Sequence, residues 1–452
     1  MENRDAVSSS QPDIGRKFFR TLSAPVVVQW ELTDWCNHRC IHCYNFWQKN
    51  TNPPDLDDPA LINKFETASS EIINSNVFHV TITGGEPLSV FESATPFIKK
   101  LNEAGVDLAL NTNLTFMTVN YAKKIKDLGI KSVLTSLMSS NTEVADKLAG
   151  RKGAQQNTIR GMHIAMNEGF DLSVNMVVSE SNLDQIYDTA RYVKELGIKS
   201  FSATKACVPI NNKDFSQEAL SRDSFHQMLT SLIKAKNELG LDVNSLEFYP
   251  YCAFDTQEEL DIFGHHNCNA GKTGCTIGFD NNIRPCSHAS QKYGLISENG
   301  SFNRAWQNLE PWRTDIFIPN ECQECFYRYS CGGGCRSEAF ALTHNLQAPD
   351  AISDFKKQPL KKQSVPIKQI DDEATFVFVK GLKSRPEDFG GILYKNSAKW
   401  LTVDKNLYDL VNKHQLSTFT TLTLAQALGN NTNEIFTTMS LLKEKGLIQE
   451  RR

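Results

Sequence analysis

Two things are scarce in this sequence: long apolar runs and an excess of basic charge. No stretch approaches the ~20 consecutive apolar residues that a membrane helix needs, and the amino-terminal segment lacks the apolar core that secretory signals carry. The 48 Lys and Arg residues are outnumbered by 52 Asp and Glu residues, for a net charge of −4. Such a balance offers no basic surface to nucleic acid or an anionic membrane. We therefore expect a cytoplasmic protein with neither partner.

Cysteine is missing after Cys335, although the sequence has 12 cysteines. Three lie between residues 36 and 43, one is Cys207, and the remaining eight lie between residues 252 and 335. In a reducing cytoplasm a disulfide framework is not expected. Cysteines grouped in this way indicate metal or iron–sulfur ligation instead.

Apolar strands alternate with amphipathic helical stretches from about residue 25 to 240. Most of the helical stretches end in Gly, which commonly follows the last turn of a helix. Six strand–helix units with buried strands predict an α/β fold with a parallel sheet, arranged as a partial (β/α)6 TIM-like barrel. In such barrels the chemistry lies on the loops after the strands. The first three cysteines follow VVVQWEL, the first predicted strand.

The whole sequence, with 452 residues, is too long for one ordinary core. Changes in composition divide the part that follows the barrel. TFVFVKG and ILYKN, on either side of Gly390 and Gly391, are expected to form a hairpin in a small carboxy-terminal domain of winged-helix type. The predicted segments are a flexible amino-terminal segment (1–24), the barrel (25–240), a Cys-rich domain (241–345), a linker (346–372) and the small domain (373–452).

The spacing Cys36-x3-Cys40-x2-Cys43 resembles the signature of the radical S-adenosylmethionine (SAM) superfamily. Three thiolates can hold three irons of a [4Fe–4S] cluster and leave the fourth iron open. The resemblance implies that SAM binds this iron and is cleaved reductively to a 5′-deoxyadenosyl radical. The alternative from the residues alone is part of a zinc site completed by His38 or His42.

Further motifs follow in the order that the superfamily shows. TITGGEPL comes just after the second strand, and its glycines allow close approach of the backbone to a ligand. The resemblance assigns Glu86 to the amino group of SAM and other polar groups to its carboxylate and ribose. His42 stands where an aromatic residue is usual, so Tyr44 or Trp47 is expected to supply an apolar face. The implied SAM-binding residues are Gly84, Gly85, Glu86, Pro87, Ser136, Asn175 and Tyr44.

The later cysteines are similar to the SPASM extension of radical SAM enzymes, which binds up to two auxiliary [4Fe–4S] clusters. Asn281 replaces the usual Gly before the third of these cysteines, and Asn tolerates a left-handed backbone. The resemblance implies a first cluster on Cys268, Cys275, Cys286 and Cys335. It implies a second cluster on Cys322, Cys325, Cys331 and a further cysteine.

That further cysteine does not exist in this sequence. Asp350, Asp354 or His344 could replace it, because carboxylate and imidazole also bind iron. An open fourth iron and ligation by Cys252 are two further interpretations, and a non-cysteine ligand is the expectation. From spacing alone, a zinc ribbon is the competing interpretation.

Residues 374–452 resemble PqqD-like domains, which bind the leader segments of ribosomally made precursor peptides. A DNA-binding winged helix is the alternative, but no basic recognition helix is evident. The combined resemblance implies a radical SAM/SPASM enzyme that abstracts hydrogen from a precursor peptide and forms a C–C (cyclophane) cross-link between side chains. It also implies an external electron donor such as flavodoxin or ferredoxin. Thioether formation, a formylglycine-generating sulfatase maturase and a non-catalytic zinc-binding adaptor remain alternatives.

Overall fold

The structure is a computed structural model that describes residues 17, 19–47, 52–362, 374–412, 418–429 and 432–451. The strands are β1 (Val27–Glu31), β2 (His79–Thr83), β3 (Asp107–Asn111), β4 (Ser132–Ser136), β5 (Asp171–Val178), β6 (Ser200–Lys205), β7 (Asp242–Asn244), β8 (Gly274–Ile277), β9 (Ile283–Arg284), β10 (Phe376–Phe378), β11 (Lys383–Glu387), β12 (Gly390–Asn396), β13 (Lys399–Asp404) and β14 (Ile448–Glu450).

The helices follow the same order along the sequence. They are α1 (Pro59–Asn74), α2 (Phe91–Glu103), α3 (Val119–Asp127), α4 (Thr142–Ala149), α5 (Ala154–Asn167), α6 (Ile186–Glu195), α7 (Arg222–Leu239), α8 (Gln257–Phe263), α9 (Ser301–Gln307), α10 (Arg328–Cys331), α11 (Arg336–Thr343), α12 (Lys405–Asn412), α13 (Thr421–Leu428) and α14 (Thr432–Glu444). None of these helices has the length and apolar character needed to cross a bilayer.

The main sheet has nine strands in the order β7-β6-β5-β4-β3-β2-β1-β8-β9. The first seven strands run parallel, each beside its neighbour in sequence. This arrangement confirms the predicted α/β partial barrel. The sheet continues past residue 240, because β7 pairs with β6, and a three-residue strand carries too little apolar pattern to be recognised. At the other edge β8 runs parallel to β1, and β9 turns back antiparallel.

Apolar side chains on one face of the parallel strands pack against the helices and form the core. Val28 and Trp30 of β1 and Val80 and Ile82 of β2 are all buried. The Trp30 ring meets the Phe65 ring of α1 edge-on, with centroids 5.8 Å apart. Helices that cover this face are the expected consequence of strand–helix crossovers in a parallel sheet.

Two segments outside the predicted domains pack against the Cys-rich region: one precedes the predicted barrel and the other follows the predicted Cys-rich domain. The carbonyl oxygen of Leu22 accepts a hydrogen bond from Trp306 Nε1 at 2.7 Å, so residues 19–24 are held on this region. Ile352, within the predicted linker, is buried. Residues 346–362 therefore form part of the Cys-rich unit. The rest of the predicted linker (363–372), and residues 1–16 and 18 of the predicted flexible segment, lie outside the described residues.

The carboxy-terminal domain combines an antiparallel sheet, β11-β12-β13, with helices α12, α13 and α14. The expected hairpin between TFVFVKG and ILYKN is wrong. β10 pairs antiparallel with β14, whereas β12 pairs with β11 and β13. Gly390 and Gly391 lie inside β12, where an added Cβ on Gly390 would come within 2.3 Å of Val403 O. Close packing, and not a turn, accounts for these glycines.

This domain is docked on the amino-terminal ends of the first barrel strands. The buried Arg385 guanidinium donates hydrogen bonds to Ala24 O (2.5 Å), Pro25 O (3.0 Å) and Asn76 O (3.1 Å). Its Nε contacts the Glu387 carboxylate at 2.9 Å. On the same face Tyr394 stacks on Phe78, with centroids 4.7 Å apart, and its hydroxyl donates to Asp107 at the start of β3.

Replacing Arg385 with Met should loosen this docking. The substitution leaves three carbonyl groups and the buried Glu387 without their cation, which is expected to cost about 3–5 kcal/mol. Hydrogen–deuterium exchange should then be faster in β11 and at the start of β1. The control is Lys395→Met, because among the described residues the Lys395 ammonium donates to Lys380 O within its own domain and to no group of the barrel. Unchanged exchange in the Arg385 variant would contradict this account of docking.

Candidate active site

A cavity of about 350 Å³ opens at the carboxyl ends of the barrel strands. Its volume lies within the range of small-molecule sites. The barrel contributes the cysteine loop after β1, the glycines after β2 and the polar ends of β3 to β6. The Cys-rich region contributes Glu247, Ser287 and His288. The site is thus built from the barrel and the Cys-rich region together.

All three cysteines of the first loop line this cavity. Backbone bonds from Arg39 N to Ala149 O (2.9 Å) and from Ile41 N to Leu148 O (3.1 Å) hold the loop against the end of α4. Within the described part of the protein, every cysteine is free of disulfides. Burial raises the pKa of the Cys36 thiol to about 12 and that of Cys43 to about 11. Bound iron would supply the positive charge that buried thiolates need, so this donor set fits an iron–sulfur cluster.

The GGEP turn is joined directly to the cysteine loop. Gly85 N donates to Thr33 O and Glu86 N donates to Trp35 O, both at 2.8 Å. A Cβ on Gly85 would lie 2.0 Å from Trp35 O, so only glycine allows this approach. Sequence reasoning assigned the glycines to a ligand, and the structure adds that they make room for the backbone next to Cys36. Pro87 is buried at the start of the following 3-10 turn.

The Glu86 carboxylate is buried and accepts three hydrogen bonds from the protein. The donors are Leu88 N (3.0 Å), Thr112 Oγ1 (2.6 Å) and Asn113 N (2.9 Å). Burial raises the pKa of Glu86 to about 7 in spite of these bonds. Glu86 thereby ties the ends of β2 and β3 together at the cavity wall. Its contact with the amino group of SAM stays a prediction.

Ser136 and Asn175, the polar groups expected at the ends of β4 and β5, both line the cavity. Asn175 Oδ1 accepts a hydrogen bond from Thr204 Oγ1 at 2.8 Å, which fixes the amide. Asn45 also lines the cavity, and its Oδ1 is a buried acceptor with no hydrogen-bond partner among the described residues. A buried polar atom of this kind is usually satisfied by a ligand or water. Sequence reasoning did not single out Asn45.

The wall toward the Cys-rich region includes Glu247 and His288, two side chains that the sequence patterns did not predict. Donor atoms of Cys207, Glu247 and His288 all lie within 4.8 Å of one another. Burial opposes a charge on His288, but Glu247 and the thiol of Cys335 outweigh it and raise its pKa to about 10. The Tyr44 ring lies 4.1 Å from the His288 ring. These residues come from distant parts of the sequence, so no local spacing could reveal them.

The auxiliary cysteines form two groups. Cys286 is close enough to Cys335 and Cys268 to interact with their charges, and it shares a small cavity with Cys275. The second group consists of Cys322, Cys325 and Cys331, which line a separate cavity of about 250 Å³. Asn281, in the turn before Cys286, has φ +56°, so the predicted left-handed turn is confirmed. Both donor sets fit the cysteine ligation that the sequence implies.

Two buried ion pairs attach the Cys-rich region to the barrel. Lys205 at the end of β6 pairs with Glu338 of α11, and Glu31 at the end of β1 pairs with Arg284 of β9. Burial opposes the charge on Lys205, but its pKa is raised by Glu338 and other nearby anionic groups. Removing one member would leave a buried charge, so each pair fixes the position of the wall.

Comparison with known proteins agrees with this geometry. Residues 30–193 match the family model of the radical SAM superfamily. The chain is 26% identical over 340 residues to the AdoMet-dependent heme synthase of Methanosarcina barkeri, covering 71% of this chain and 94% of that protein. It is 26% identical over 384 residues to the mycofactocin maturase MftC of Mycolicibacterium smegmatis, covering 83% and 93%.

The chain is a radical SAM enzyme. Its fold is similar to that of SuiB from Streptococcus suis, solved with the precursor peptide SuiA bound, with a TM-score of 0.57 and 16% identity over 74% of this chain and 76% of that one. The match includes the cysteine loop and the GGEP turn, so the radical SAM enzyme carries one [4Fe–4S] cluster and uses SAM. The residues that would hold the cluster are Cys36, Cys40 and Cys43.

Replacing Cys36, Cys40 or Cys43 with Ala should abolish release of 5′-deoxyadenosine from SAM, because each change removes one of three thiolate ligands. Anaerobic protein is reduced with dithionite, and the nucleoside is measured by chromatography. The matched control is Cys322→Ala, which removes a thiol outside the cavity and should leave SAM cleavage in place. SAM cleavage by any of the three loop variants would contradict the assignment.

Gly85→Ala should disturb the iron–sulfur site although Gly85 is not one of its three cysteine ligands. The new methyl group cannot fit beside Trp35 O, so the cysteine loop must shift and the iron content should fall by up to about four atoms per molecule. Gly105→Ala is the control. The φ of +80° at Gly105 strains an alanine there as well, but nothing lies within 4 Å of the added Cβ and the position is remote from the cavity. Equal iron content in both variants would show that the close approach is not required.

Proposed function

We propose that this radical SAM enzyme modifies a ribosomally made precursor peptide. The observation that carries the proposal is the pairing of the radical SAM cavity with a carboxy-terminal domain that has an open strand edge. Within the described residues, β13 pairs with β12 on one side and has no strand on the other. An extended leader peptide can add to such an edge through backbone hydrogen bonds. The maturase relative and the peptide-bound SuiB structure support a peptide substrate.

The cavity residues have defined roles in this proposal. When bound, the cluster and SAM supply the 5′-deoxyadenosyl radical, which abstracts a hydrogen atom from the peptide. The polar groups at the ends of the strands would orient SAM. Gly84 and Gly85 hold the loop, and Glu86 faces the amino group. The remaining proposed SAM contacts are Pro87, Ser136, Asn175 and Tyr44.

The auxiliary clusters would lie beyond the cavity wall that contains His288, on the side of the Cys-rich region. Forming a cross-link removes a pair of hydrogen atoms from the peptide, one as an atom and the other as a proton and an electron. The auxiliary clusters would supply an acceptor for that electron. The proposed ligands of the first cluster are Cys268, Cys275, Cys286 and Cys335, and those of the second include Cys322, Cys325 and Cys331. Flavodoxin or ferredoxin would reduce the SAM-cleaving cluster, and the abundant free thiols suit the cytoplasm.

We propose a C–C cross-link of the cyclophane kind, between two side chains of the peptide, as the product. The closest competing product is a thioether, which would consume a cysteine thiol of the peptide. A formylglycine-generating maturase shares the same cluster sets but has no use for a leader-binding domain. The heme synthase relative shows that the radical SAM framework alone does not choose the substrate. The carboxy-terminal domain is therefore the feature that favours a peptide.

Co-expression with the small open reading frame next to the gene tests this function. The modified peptide should lose a pair of hydrogen atoms per cross-link, as measured by mass spectrometry. Alkylation with iodoacetamide separates the products, because a C–C link leaves peptide cysteines reactive and a thioether does not. A core peptide without its leader should be modified at least about tenfold more slowly, since the lost contacts are worth about 1–1.5 kcal/mol or more. An unmodified precursor would contradict the proposal.

Proline substitutions on β13 test the strand edge itself. Leu401 and Thr402 are consecutive, so the N–H of one points toward β12 and that of the other points outward. Thr402→Pro and Leu401→Pro are compared by circular dichroism and by anisotropy with a labelled leader. One variant should stay folded and bind the leader about tenfold more weakly. Wild-type leader affinity in both would show that this edge is not the leader site.

A further inference from the structure

Cys252 lies at the second group of auxiliary cysteines, although it is distant from them in sequence. Its side chain lines the 250 Å³ cavity together with Cys322, Cys325 and Cys331. Cys322 lies close enough to the thiols of Cys331, Cys252 and Cys325 to interact with them electrostatically. The Cys331 sulfur in turn lies near the backbone of Tyr251. Four thiols therefore meet in one cavity.

The local fold places Cys252, together with Tyr251 of the same turn, at the wall of this cavity. Tyr251–Ala253 form a single 3-10 turn, and its two outer residues are buried, as is the following Phe254. The Tyr251 ring meets the Tyr327 ring edge-on, with centroids 5.1 Å apart. Packing on both sides thus holds the turn and directs the Cys252 thiol toward the other three.

The same turn is tied to the segment after α11. Arg222 of α7 donates to Cys252 O at 3.4 Å and to Ile352 O at 3.2 Å. The Cys252 thiol lies near Ser353 and the backbone of Asp354, and all three residues line the same cavity. The thiol therefore lies beside the part of the protein, after Cys335, where the sequence predicted a seventh ligand.

Two of the ligands considered from the sequence are engaged elsewhere. Asp350 Oδ2 accepts from Cys335 N at 2.7 Å, and its Oδ1 accepts from Ile352 N at 3.1 Å. His344 is an exposed residue at the end of α11, with its ring against Phe340. Neither residue lines the cavity of the four thiols.

Asp354 lines the cavity but is already committed to other groups. Its Oδ1 accepts from Lys356 N at 3.0 Å, and its Oδ2 is 3.8 Å from Arg222 Nη2. A thiolate is also the preferred ligand of iron–sulfur clusters, whereas a carboxylate is rare. Chemistry and position both favour the cysteine.

We propose that Cys252 is the fourth ligand of an iron–sulfur cluster held by Cys322, Cys325 and Cys331. This inference rests on the second auxiliary cluster of the proposed function. It replaces both the expected non-cysteine ligand and an open iron. Complete ligation by thiolates leaves this cluster no iron at which a peptide could bind, so its part in the reaction is electron transfer.

The test uses full-length protein in which Cys36, Cys40 and Cys43 are all Ala, so that auxiliary clusters are the ones left. This parent should contain about eight irons per molecule and show two reduced-cluster signals by electron paramagnetic resonance. Adding Cys252→Ala should either lower the iron content by about four or leave a cluster whose signal shows hyperfine coupling to added ¹⁵N-imidazole. Asp354→Asn in the same parent is the matched control and should change neither quantity.

Cys252→Ser is the second variant, because it preserves side-chain volume if the alanine variant does not fold. It should shift the reduction potential of one cluster and leave the other unchanged. The proposal is overturned if the parent itself binds imidazole at the second cluster, if it holds about four irons in total, or if the Cys252 variants keep the parent spectrum and potential. Because the parent lacks the cysteines of the first loop, these readouts do not depend on the radical SAM assignment.

Discussion

The active site depends on one backbone contact, the close approach between the loop after β1 and the turn after β2. Gly85 has no side chain, so its N–H reaches Thr33 O and the neighbouring Glu86 N reaches Trp35 O. Adjacent parallel strands place both loops at the same edge of the sheet, and the missing Cβ brings them into contact. This contact fixes Cys36 at the cavity. The thiols of the loop are desolvated as a result. This environment disfavours free thiolates and favours thiolates that are bound to iron.

The second requirement is a fixed wall between the SAM cavity and the Cys-rich region. Buried ion pairs provide it, one at the end of β6 and one at the end of β1. A buried pair adds little net stability when compared with apolar packing, but it tolerates few alternative arrangements. The wall therefore stays in register with the barrel. The wall borders both sides, because Cys207 lines the SAM cavity and also lies next to the Cys335 thiol.

The sequence was sufficient for features that depend on local spacing. The cysteine loop, the GGEP turn and the strand–helix order all follow from short patterns. The six predicted strands are present in the predicted order, and a short seventh parallel strand follows them. The carboxy-terminal hairpin failed because β10 finds its partner, β14, at the far end of the domain, and no local signal encodes that pairing. Glu247 and His288 were missed for the same reason. Cys252 was weighed but not favoured, because the turn that brings it to the second group of cysteines depends on the packing of Tyr251 and Phe254.

The docking of the carboxy-terminal domain has a consequence for the length of any substrate. Arg385 and Tyr394 attach this domain to the amino ends of the strands, whereas the SAM cavity opens at their carboxyl ends. A peptide anchored on β13 must pass around the outside of the barrel before any side chain of it enters the cavity. Five-residue strands alone span ~17 Å, and an extended peptide advances ~3.3 Å per residue. A peptide anchored on β13 would therefore need a spacer of at least about five residues between the anchored segment and the first reactive position.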